Sequence, residues 1–97
     1  MVNYFKGVSR MYPVDTPQQL RTILRSLRQS RGLTQAQLGQ LLGVSQKRIA
    51  RIEAAPEVTS FDQITRMVSA MGGRLAVVEP AAALAAETEP VQYTPRW

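Results

Sequence analysis

The run Ser45-Gln46-Lys47-Arg48, with Arg51 one helical turn after Lys47, holds the side chains of this sequence best suited to recognition chemistry. A glutamine amide can pair bidentately with adenine, and a lysine or arginine with the acceptor edge of guanine. Ile49 and Ile52 point the other way at helical spacing, so one face can be buried while Ser45, Gln46, Lys47 and Arg51 meet base edges. Arg48, beside them, suits a phosphate. Gln35 and Thr34 open the preceding segment, where the free N–H groups of a helix start also suit a phosphate oxygen. The plain alternatives are a solvated charged face and, for Gln35, ordinary solvation of a helix start. Catalysis has no comparable basis. The chain has no histidine, no cysteine, no carboxylate cluster and no glycine-rich phosphate loop, so no enzyme activity, cofactor or metal site is expected.

Two short helices must position these residues. Thr34 can cap the first, with Gln37 at its third position completing a capping box and Leu33 stapling to Leu38. Leu38, Leu41 and Leu42 share one face by spacing. Gly43 suits the left-handed residue that ends a helix. Ser45 then caps the second helix, expected over about 46–54, and Val44 staples to Ile49. Two capped helices around a glycine turn make a helix-turn-helix, whose second helix enters the DNA major groove. Before them, Thr16, Pro17 and Gln19 start a helix that carries Leu20, Ile23, Leu24 and Leu27 and ends at Gly32. After them, Pro56 stops the recognition helix. Thr59 or Ser60 caps a fourth helix with Phe61, Ile64, Met67, Val68 and Met71 on its apolar face, and Gly72-Gly73 stops it.

Charge is distributed unevenly over the 97 residues, whose net is +5. Arg21, Arg25, Arg28, Arg31, Lys47, Arg48 and Arg51 lie between positions 17 and 54 against a single acid, Glu53. Glu79, Glu87 and Glu89 face only Arg96 after position 78. A basic body implies a polyanionic partner, and an acidic tail implies a different one. Arg28 and Glu53 both sit beside apolar stripes. Arg28 either meets a phosphate or pairs with Glu53 to tie two helices together. No apolar run approaches the roughly 18 residues of a membrane span, and no signal-peptide pattern opens the chain, so a cytoplasmic protein is expected.

The ends of the chain differ from its middle. Residues 1–15 form an arm without helical period, 16–79 a DNA-binding and dimerisation domain, and 80–97 a flexible tail. Residues 74–79, bounded by Gly-Gly and Pro80, are β-rich through Leu75, Ala76, Val77 and Val78. A lone strand leaves its backbone groups unpaired, so it calls for the N-terminal arm or a second copy of the chain; an extended, unpaired segment is the alternative. A two-fold dimer supplies that partner, together with two recognition helices for a palindromic site. Trp97, with Tyr93 nearby, suits a short docking segment, because tryptophan is enriched among interface anchors. A chance terminal residue, or one folded back on the domain, is the alternative.

Residues from Thr16 to about Met71, above all RGLTQAQLGQLLGVSQKRIARIE, resemble the phage-repressor-like (Cro/C1, xenobiotic-response-element) helix-turn-helix family. The resemblance implies a mostly α, four- to five-helix lambda-repressor-like domain with one C-terminal β-strand pairing across a dimer. It places phosphate binding at Gln35 and base reading at Ser45, Gln46, Lys47 and Arg51. It also favours an ion pair between Arg28 and Glu53. The lead-in from Tyr12 to Pro17, the strand and the tail ending in Trp97 look like the HipB-type antitoxins. That likeness implies a bacterial, nucleoid-associated homodimer on palindromic double-stranded DNA that represses its own operon and binds a HipA-like serine/threonine kinase toxin. A stand-alone transcriptional repressor and a protein-binding adaptor remain the alternatives; the basic outer face weighs against the adaptor, and Trp97 weighs against the stand-alone repressor.

Overall fold

The computed structural model describes residues 10–79. Expectations for positions 1–9 of the arm, and for the tail with Tyr93 and Trp97, lie outside the described residues. The chain forms α1 (Pro17–Ser30), α2 (Gln35–Leu42), α3 (Gln46–Ala54), a 3-10 turn (Pro56–Val58) and α4 (Phe61–Ala70). None of these helices is long and apolar enough to cross a membrane.

Local chemistry explains each helix boundary. Thr16 and Thr34 accept the N–H of Gln19 and Gln37 at 3.1 and 3.0 Å, and each glutamine side chain returns to the N–H of its threonine, so both capping boxes close. Ser45 and Ser60 cap α3 and α4 through their hydroxyl oxygens. At the ends of α1 and α2, Gly32 and Gly43 take φ of +69° and +71°, conformations that cost a residue with a Cβ far more.

The four helices bury one apolar cluster. Leu24 comes from α1, Leu38 from α2, Ile49 and Ile52 from α3, and Ile64, Met67 and Val68 from α4, with Met71 just beyond it. Each such side chain contributes roughly 1.5–3 kcal/mol on burial. Two expected core residues are exposed instead. Leu41 is 62% exposed because the inward face of α2 is centred on Leu38, Gly39 and Leu42, which turns Leu41 away. Phe61 has the phase of the α4 stripe but stands at its first position, a turn before Ile64. There the other helices no longer cover it, and it is 74% exposed. No strand is present among the described residues. Residues 74–79 have no regular secondary structure and are exposed throughout, Val77 at 93%.

Gly39 sets the distance between α2 and the turn. A Cβ there would stand 2.6 Å from the Val44 carbonyl oxygen, a backbone atom that cannot swing aside. The turn lies against α2 because position 39 has no side chain, and this brings α3 across α2. Gly39→Val should therefore lower stability by roughly 1–3 kcal/mol through overpacking, measured by thermal or urea unfolding. A melting temperature equal to that of the wild type would show that the turn can yield.

Candidate nucleic-acid interface

The phase of α3 separates two surfaces. Ile49, Ile52 and Glu53 are buried, while Gln46, Lys47 and Arg51 are exposed. Ser45, also exposed, accepts the Arg48 N–H at 3.1 Å and keeps its own O–H free to donate. The first turn of α3 carries no acid. It carries Lys47 and Arg48 instead, at the helix end where the macrodipole is positive. Cations there cost a few tenths of a kcal/mol or more. An approaching polyanion removes that cost, because the helix end and the side chains then attract the same charge.

A chain of polar contacts holds this helix from behind. Arg28 Nε donates to Glu53 Oε2 at 2.5 Å and Arg28 Nη2 to Glu53 Oε1 at 3.2 Å. Arg28 Nη1 donates to the Leu33 carbonyl at 2.9 Å, so one guanidinium joins α1, the α1–α2 loop and α3. Glu53 is 1% exposed. Its Oε1 also accepts from Gln35 Nε2 at 3.1 Å. An ionised carboxylate only accepts, so the amide nitrogen of Gln35 must face Glu53 and its oxygen must face away. That oxygen accepts from Gln46 Nε2 at 3.4 Å. The orientation of Gln46, the first residue of α3, is thus linked through Gln35 to a buried acid.

The sequence-derived site residues fall into distinct places. Gln46, Lys47 and Arg51 share the outer face of α3. The Gln35 side chain is engaged by Glu53 and Gln46, so what the start of α2 offers a phosphate is its first-turn N–H groups, which have no intrahelical acceptor. Thr34 Oγ1 is occupied by the Gln37 N–H. Arg48 is half-buried at the α4-side margin of α3, where its Nη2 donates to Gln63 Oε1. The arginines of α1 and its C-cap are largely drawn into the fold: Arg28 to Glu53, the C-cap Arg31 Nε to the Met71 carbonyl at 2.7 Å, and Arg21 towards Glu57 at 4.0 Å. Arg25, 4.0 Å from Glu53 Oε1, remains mostly exposed. Leu75, Ala76, Val77 and Val78 are on the exposed segment after α4. Gln63 and Gly39 were not singled out in the sequence. Gly39 resembles any small helix residue, and Ser60-x-x-Gln63 has the spacing of an ordinary cap. No group of acidic residues among those described is placed to hold a metal.

A capped helix pair with a basic outer face defines a sequence-specific DNA-binding domain. Residues 19–85, more than half of the chain, match the helix-turn-helix domain family, and the chain belongs to it. No curated protein and no solved structure gives a significant match.

Removing Glu53 would leave the Arg28 guanidinium buried without a counter-charge. Breaking a buried pair by deleting one partner costs about 3–5 kcal/mol. Glu53→Ala should show a loss of that order in chemical denaturation, and an unchanged midpoint would rule out the pair as a structural tie.

Proposed function

We propose that this protein is the DNA-binding antitoxin of a HipBA-like toxin–antitoxin pair. It acts as a homodimer on palindromic double-stranded DNA, represses its own operon and binds a HipA-like serine/threonine kinase. The observation that carries the DNA-binding part is the exposed row Gln46, Lys47 and Arg51 on α3, with Gln46 oriented through Gln35 by the buried Glu53. In this reading Ser45, Gln46, Lys47 and Arg51 meet base edges. Arg48, Thr34 and the start of α2 at Gln35 lie along the phosphates.

The dimer is supported by residues 74–79. Leu75, Val77 and Val78 are exposed apolar side chains on a β-rich segment that pairs with nothing among the described residues. Ribbon pairing with the same segment of a second chain would satisfy the backbone and cover these side chains. The kinase partner is supported by likeness to the HipB-type antitoxins and by Tyr93 and Trp97, aromatic residues in an acidic, proline-punctuated stretch.

Two measurements test this. With an operator in hand, Gln46→Ala or Lys47→Ala should cost roughly 1–3 kcal/mol and relax preference at one base pair per half-site. Equal losses on operator and on random duplex would remove the base-reading role. Separately, Trp97→Ala should weaken binding to a co-expressed HipA-like kinase by roughly 2 kcal/mol or more and leave operator affinity unchanged. Full kinase affinity in that variant would exclude Trp97 as the anchor.

A further inference from the structure

Gln63 is the third residue of α4, and its backbone N–H is received by the Ser60 hydroxyl at 3.2 Å. Gln19 in α1 and Gln37 in α2 hold the same position behind their own caps. Both fold back, accepting the N–H of Thr16 at 3.0 Å and of Thr34 at 2.9 Å. Gln63 does not. Its Oε1 reaches across to α3 and accepts from Arg48 Nη2. The start of α4 keeps only the serine half of its cap. A local bond that satisfies a helix-start N–H is given up for a contact with the first turn of the DNA-facing helix.

The chemistry of the acceptor indicates the purpose. At Arg28, which ties α1 to α3, the fold supplies a carboxylate and neutralises the charge; Arg31, which meets a backbone carbonyl, keeps its charge. At Arg48 the fold supplies a neutral amide oxygen. No carboxylate among the described residues lies within ion-pair distance of Arg48, and the neighbouring Asp62 is drawn to Arg66 at 3.9 Å. A guanidinium presents several N–H donors in a rigid plane, so one bond fixes its direction and leaves the others for a phosphate.

We infer that Gln63 is a positioning residue for DNA binding: it fixes the Arg48 guanidinium at the α4-side margin of α3 while leaving its positive charge whole for a DNA phosphate. The inference deepens the DNA-binding part of the proposed function and rests on that part, independently of the kinase partner.

The test uses the full chain and a fluorescent duplex selected by the wild-type protein from a randomised DNA pool. Gln63→Glu preserves shape and adds charge, so the new carboxylate should pair with Arg48 and leave the melting temperature at or above that of the wild type. Affinity for the selected duplex should fall roughly tenfold, and the slope of log affinity against log salt should become shallower by about one unit per subunit. In an Arg48→Ala background the same change should cost much less, because the charge it neutralises is already gone. Wild-type affinity and salt slope in Gln63→Glu would overturn the inference. So would an equal loss with and without Arg48, which would mean plain repulsion between the new acid and DNA. If the wild type enriches no duplex, the DNA-binding reading fails and the inference fails with it.

Discussion

The buried carboxylate of Glu53 sets the geometry on which the outer face of α3 depends. Removing an ionised group from water costs several kcal/mol, and only well-directed partners offset that cost. Here the partners come from two helices: Arg28 Nε and Nη2 and a more distant Arg25 from α1, and Gln35 Nε2 from α2. Apolar packing alone would tolerate some rotation of α3 about its axis. A carboxylate that must meet these donors tolerates very little, because hydrogen bonds weaken steeply with misalignment. The pair contributes direction more than net stability, and the exposed side chains of α3 inherit that direction.

Charge is layered across the domain in keeping with this arrangement. The acid lies on the buried face of α3, at Glu53. Neutral amides grip its two margins, Gln35 at Gln46 and Gln63 at Arg48. Cations occupy the outer face, at Lys47 and Arg51. No acid in the first turn of α3 offsets the positive end of the helix dipole. A surface arranged for stability alone would place an acid there. This one keeps its positive potential, as binding to a phosphate backbone requires.

Helix existence and helix starts were legible in the sequence because a cap is a bond between residues three apart. Thr16 with Gln19 and Thr34 with Gln37 form the expected boxes, and Gly32 and Gly43 take the left-handed conformations that end α1 and α2. The outer face of α3 was legible for a similar reason: a single helix fixes the phase between Ile49, Ile52 and the polar residues. Periodicity places Leu41 and Phe61 in the core, and the structure exposes both. Periodicity gives the direction of an apolar stripe, but not its width or where neighbouring helices stop covering it. In α2, only eight residues long, the close approach at Gly39 rotates the inward face away from Leu41.

The sequence by itself determined the helix-turn-helix, its caps and the separation of basic from apolar faces, since each rests on contacts within one or two helical turns. The tertiary structure decided which arginines remain available to a ligand. Arg21, Arg25, Arg28, Arg31 and Arg48 are chemically alike in the sequence, and their fates depend on residues up to 40 positions away. Arg28 meets a buried carboxylate, Arg31 a carbonyl after α4, and Arg48 a neutral amide. Only the packing of the four helices around one core brings those acceptors within reach.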